Sequence, residues 1–141
     1  MMLETLLVMN FIWFGLGFHA FSLRSRVFAK MMVPKDYRDT PAFEILVASG
    51  RFLGGFNLAF ALLCFLLVWN LNLFPADAQR GLLLLVIAVA HGTQFAFNVP
   101  IALQNRHGGG AWKVTGKMLF IFLVDLIMTL LNLMAAILLL L

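Results

Sequence analysis

Four apolar runs constrain this chain more than any other feature. They cover about residues 3–23, 41–69, 81–104 and 117–141, and each reaches the roughly 20 residues a helix needs to cross a hydrocarbon core about 30 Å thick. Inside such a core every backbone N–H and C=O must find its partner within the protein, so runs of this kind are helices. Of 141 residues 63% are hydrophobic and 11% charged, whereas a soluble domain carries about 25% charged residues. The expectation is an all-α fold: an integral membrane four-helix bundle, one transmembrane domain over 1–141, with both termini outside. The formal charge of +4 does not indicate nucleic acid, because the basic residues gather at the ends of the apolar runs. The one cysteine, Cys64, lies inside a run and can form no internal disulfide.

The first run lacks a basic start, carrying Glu4 instead, and shows no small-residue cleavage site, so it reads as a retained span rather than a signal peptide. In Arg24–Val33, Val27, Phe28, Met31 and Met32 recur at helical spacing among basic residues. Three readings fit: an interfacial helix on anionic lipid, the first span running on into water, or a solvated basic loop. Pro34 ends any helix there. Thr40-Pro41 has the pattern of an N-cap with proline at the first helical position. The stretch 105–113 reads as a flexible basic loop rich in glycine. Arg24, Arg26, Lys30, Lys35 and Arg38 lie in the first connection, Arg106, Lys113 and Lys117 in the third, and Arg80 alone in the second. The positive-inside rule then places the first and third connections in the cytoplasm. Trp69 and Trp112 suit the aromatic belt.

Arg51 stands out within the second run, since a charge at membrane depth costs several kcal/mol unless paired or hydrated. Gly50 and Gly54 beside it are spaced to let another backbone approach closely. Counting from the cytoplasmic ends at 1.5 Å per residue, Arg51 lies about 15 Å from Pro41 and Asp125 about 12 Å from Lys117. On the same count Gln94 and Asn98 lie about 15 and 9 Å from Gln104. These residues are expected to share a layer, with an Arg51–Asp125 pair at its centre. Such a pair predicts that exchanging both for leucine is milder than exchanging either one. His19 and Glu44, about 7 and 5 Å in, are expected to form a second layer.

His91, Gln94 and Asn98 follow one another at i, i+3 and i+7, a polar stripe on one helix face, and Pro100 lies just beyond it. The stripe suits either a cavity lining or interhelical hydrogen bonds. Asn10, Asn57, Thr129 and Asn132 read as packing contacts. A haem held by His19 and His91 is disfavoured, because their depths differ by about 12 Å. The sequence carries no metal-ligand cluster, phosphate loop, CxxC or Ser–His–Asp set.

The segment Arg51-Phe52-Leu53-Gly54-Gly55-Phe56-Asn57-Leu58-Ala59-Phe60-Ala61-Leu62-Leu63 resembles the second span of DoxX-like four-helix membrane proteins, which place a charged residue before a small pair and a leucine-rich run. That resemblance implies a small bacterial inner-membrane protein, in some cases associated with quinone-linked redox complexes. Ala90-His91-Gly92-Thr93-Gln94-Phe95-Ala96-Phe97-Asn98-Val99-Pro100 is similar to the His, Asn, Glu and Pro segment of the MAPEG family, four-span enzymes handling glutathione and lipids. Here the acidic residue is absent, the distance to proline differs by one, and the segment lies on the third run.

The expected function is non-catalytic: binding of a lipophilic molecule such as a quinone or lipid, or service as an accessory subunit. Arg51, Asp125, Gln94, Asn98 and His91 would line the site. No metal and no cofactor are expected, quinone being the one exception allowed; the enzyme alternative would use glutathione. Membrane lipid, further copies of the chain or a larger membrane complex are the expected partners. The alternatives are an enzyme on a lipophilic substrate, for which His19–Glu44 is the available acid–base pair, and an oligomeric transporter.

Overall fold

The structure, a computed structural model, describes residues 2–141. Among these it is all-helical, with no strand. The helices are α1 (Met2–Phe18), α2 (Ser25–Met32), α3 (Pro41–Trp69), α4 (Asp77–Arg106) and α5 (Lys117–Leu140), with a π-helical turn, His19–Leu23, between α1 and α2. Four segments are long and apolar enough to cross a membrane: Leu3–Leu23, Pro41–Trp69, Asp77–Arg106 and Lys117–Leu140. Large apolar side chains such as Phe52, Phe56, Phe97 and Phe120 are exposed, as suits helices solvated by lipid. The chain divides into two compact units, Met1–Trp69 and Asn70–Leu141.

In the first unit α1, the π turn and α2 run antiparallel to α3. The inward face of α3 is Phe43, Val47, Gly50, Gly54, Asn57, Ala61, Cys64 and Leu67, in steps of three or four that keep one stripe on one side. The glycines in it are there for contact. A Cβ on Gly54 would lie 2.7 Å from the backbone nitrogen of Ser22, and one on Gly50 would lie 3.4 Å from the Phe21 carbonyl oxygen. The close approach expected of Gly50 and Gly54 is therefore made, and the backbone that comes close is the π turn. Farther along, the Asn57 carboxamide rests on Gly17, Phe14 stacks on Phe60 at 5.1 Å, and Phe11 meets Phe65 at 5.6 Å.

The stretch after the first span is helical, and it continues along α3. Ala29 of α2 packs on Phe43 and Val47, with Val33 and Leu46 at the edge. Its end has a local cause: Val33 is extended (φ −104°, ψ 125°), as a residue before proline must be. Arg38 then donates to the carbonyls of Lys30 (2.6 Å) and Val33 (2.9 Å), two of the acceptors left over at a helix end. α3 opens as expected, with the Thr40 hydroxyl accepting from the Phe43 N–H at 3.3 Å and Pro41 in the first turn.

The second unit is the α4–α5 hairpin. α4 begins at Asp77 rather than Gly81, because polar residues secure its first turn. Gln79 Oε1 accepts from the Ala76 N–H at 3.3 Å, and Arg80 donates to Phe74 O at 2.7 Å and to Asp77 at 3.3 Å. The register is antiparallel and close. A Cβ on Gly81 would lie 3.1 Å from Ala136 O, and Phe95 stacks on Phe122 at 4.5 Å. The connection expected to be a flexible loop is organised by one side chain. Asn105 donates to Gly109 O and Trp112 O, both at 2.9 Å, and accepts from the Val114 N–H at 2.7 Å.

Candidate functional site

The register of the first unit decides where Arg51 lies. Ser22 Oγ donates to the Arg51 carbonyl at 2.9 Å, so Arg51 is level with the end of the Leu3–Leu23 span rather than with its middle. Counting depth from Pro41 misplaces it, because the start of α3 runs beside α2, beyond the first span. The 18 residues Phe52–Trp69 rise about 27 Å, nearly the whole of a hydrocarbon core about 30 Å thick.

At that level the π turn opens a cavity of about 510 Å³ between the π turn, the start of α2 and α3. Its polar lining is Ser22, Arg24, Ser25, Arg26, Glu44 and Arg51, and its apolar lining is Leu23, Val27, Val47 and Ala48. A π turn carries one more residue than an α turn, and such insertions recur at functional sites. Here the wider turn lies where Gly54 lets the π turn and α3 come together. Ser22 meets α3 there, and the arginines of the connection and of α3 line one cavity.

The electrostatics are unbalanced. Arg26 Nη2 pairs with Glu44 Oε2 at 2.6 Å and lies 5.8 Å over the Phe43 ring, a cation–π contact. Arg24 and Arg51 make no side-chain hydrogen bond or ion pair among the described residues. Three arginines against one glutamate leave the lining formally at +2. Ser25 is only 5% exposed and lines the cavity without a side-chain hydrogen-bond partner among the described residues. It is also the first residue of α2, so the positive dipole end of that helix lies at the cavity, although the Val27 and Phe28 N–H groups are already taken by the Arg24 carbonyl at 2.8 and 3.0 Å.

The second unit holds its polar residues differently. His91 Nδ1 lies 3.4 Å from Asp125 Oδ1, with both side chains nearly inaccessible at 0% and 2%. A depth count from the helix ends misses this contact. Gly81 opposite Ala136 and Phe95 opposite Phe122 place Lys117 level with Pro100, not with Gln104. Asp125 therefore lies about 18 Å from the Gln104 level rather than about 12 Å, opposite the turn that carries His91. Asn98 Nδ2 donates to Gln94 O at 2.7 Å, and Asn10, Asn57 and Asn132 likewise donate to the carbonyl four residues back. These amides are engaged by their own helices. The stripe of His91, Gln94 and Asn98 does share one side, with His91 buried and the other two half-buried. A shallow apolar groove of about 310 Å³ lies nearby, lined by Ala88, Gly92, Ala96, Thr129 and Leu133 among others, with no charged residue.

The expected site residues thus fall into two groups. Arg51 and Glu44 line the arginine cavity, and His91 and Asp125 meet in the second unit beside Gln94 and Asn98. Within its own unit Arg51 is level with the end of the first span, and within its own unit Asp125 is level with His91. The expected His19–Glu44 layer is corrected: Gly17 lies against Asn57 and Ser22 against Gly54, so His19 is opposite the middle of α3, while Glu44 at its start takes Arg26. Among the described residues no group of three or more His, Cys, Asp or Glu could hold a metal ion. Ser22, Arg24, Ser25 and Arg26 were not expected as site residues. Their signal is the cluster of serine and arginine after the first span, which also fits a loop until the π turn is known. The chain matches no family model, no curated protein and no solved structure.

Proposed function

We propose that this is a small multi-pass membrane protein that binds a lipophilic molecule without chemically changing it. The molecule's polar head is held in the arginine cavity, and its apolar part runs along the exposed faces of α1 and α3. The observation that carries this reading is a cavity at the end of a candidate span whose Arg24 and Arg51 have no partner among the described residues. At the end of a span an arginine side chain reaches the head-group level, where the polar head of a bound amphiphile can meet it. Leu23, Val27, Val47 and Ala48 give the same cavity an apolar wall, so an amphiphile fits it better than a polar solute.

In this reading the basic connections face the cytoplasm of a bacterial cell and the protein belongs to the inner membrane, in keeping with the DoxX-like pattern at Arg51, Gly54 and Gly55. A quinone head or a lipid head both satisfy it. So does a role as accessory subunit, or as one copy in an oligomer, that presents the bound molecule to a larger complex. The enzyme reading loses its acid–base pair, since Glu44 is engaged by Arg26.

Native mass spectrometry of protein released from mild detergent tests the proposal. Retained quinone or lipid, lost when Arg24 and Arg51 are both changed to Gln, is the expected result. A chain that carries no lipophilic molecule under conditions that preserve its fold would sink it.

A further inference from the structure

Resting on that reading, we infer that the head group held in the cavity is a phosphate, carried by an anionic lipid. Arg24, Arg26 and Arg51 all line the cavity, and guanidinium groups are the donors best suited to phosphate oxygens because their N–H groups form a planar fork. It also offers the Ser25 hydroxyl, which lacks a hydrogen-bond partner among the described residues, and the positive dipole end of α2, which favours an anion. A quinone head is neutral and would leave the +2 lining uncompensated. A phosphate ester brings the opposing charge and enough acceptor oxygens to use several of these donors at once.

Position argues for the same group. The cavity is level with the end of the Leu3–Leu23 span, where a phospholipid carries its phosphate, and Leu23 and Val27 on its wall are more than half exposed, ready to meet acyl chains. Glu44 then acts as an internal competitor. Its carboxylate already occupies Arg26 at 2.6 Å, holding that arginine in place while lowering the charge available to a ligand. Affinity is therefore set by the balance of Arg24, Arg26 and Arg51 against Glu44.

The full chain in phosphatidylcholine nanodiscs, titrated with phosphatidylglycerol or phosphatidic acid and read by native mass spectrometry, tests the inference. The anionic lipids should be retained in preference to phosphatidylcholine. Each of Arg24→Gln and Arg51→Gln should weaken retention about five-fold, given roughly 1 kcal/mol per basic side chain near a charged membrane surface. Arg51→Lys should restore much of it, and Glu44→Gln should strengthen it, a gain that misfolding cannot mimic. A parallel arm in detergent adds inorganic phosphate alone. Retention of the bound lipid at millimolar phosphate is the expected result; displacement would identify a soluble phosphate as the source and overturn the lipid part of the inference. Equal retention of neutral and anionic lipid, or a Glu44→Gln variant that binds no better, overturns the inference. If the cavity instead retains a quinone or neutral lipid, lost in the Arg24→Gln, Arg51→Gln double variant, only the phosphate assignment fails. Retention of no lipophilic molecule removes both readings.

Discussion

Arg51 on the first hairpin and Asp125 on the second are both ionisable residues in strongly apolar helices, yet their surroundings differ in kind. Asp125 is enclosed and meets His91 within its own hairpin. Arg51 is exposed at a cavity and has no side-chain partner among the described residues. Enclosure with a partner is how a polar group is tolerated in an apolar interior, and removing either member strands the other. Exposure without a partner has no such structural role, because nothing in the fold depends on the charge. The contrast separates the residue that holds a hairpin together from the residue available to something outside the chain.

The largest expected effect lies on the enclosed side. Asp125→Leu should destabilise the protein by about 3 kcal/mol, measured as the midpoint shift on unfolding in mixed detergent. The His91→Leu, Asp125→Leu double variant should lose less than that single change. If the losses simply add, the contact at 3.4 Å carries no coupling and this half of the comparison fails. Next comes the helix contact that builds the cavity. Gly54→Ala should cost about 1–3 kcal/mol, because its Cβ would press on the Ser22 backbone. Gly55→Ala, one residue on and with nothing nearby, should be close to neutral by the same measurement. Equal melting points would mean that the Ser22–Gly54 contact is not the one that sets the register.

Smaller still, Asn105→Ala should cost about 1–2 kcal/mol, and the Val114 amide should exchange its hydrogen faster. The smallest effect sharpens the comparison most. Arg51→Gln should leave the melting temperature in lipid-free detergent unchanged while altering what the protein retains from the membrane. A large loss of stability there would show that Arg51 is structural after all, like Asp125.

Much of the fold can be read along the chain. The apolar lengths locate all four candidate spans, Pro34 locates the end of α2, and Thr40-Pro41 locates the start of α3. Gly50 and Gly54 announce a close helix contact. The site is legible in part. Arg51 and Glu44 belong to the cavity, but the Ser-Arg cluster beside them looks from sequence like a connection and no more. His91 and Asp125 both stand out in the sequence, but not as partners. The two misplaced depths have the same origin, since a depth counted from a helix end is only as good as the assumption that neighbouring helices end at the same level. α2 carries the first helix past its span, and the loop held by Asn105 lets α5 begin level with Pro100.

The sequence by itself determined that the four apolar segments are helices and, at Pro34 and Thr40-Pro41, where one helix ends and the next begins, because apolar length, proline and capping act within a few residues. Only the tertiary structure decided which side chains share a level. That depends on how Gly54 seats against Ser22 and Gly81 against Ala136, contacts between residues far apart in the chain. The π turn at His19–Leu23, followed by Arg24 outside helical geometry (φ −119°, ψ 33°), sets where α2 starts against α3, and no local pattern announces it.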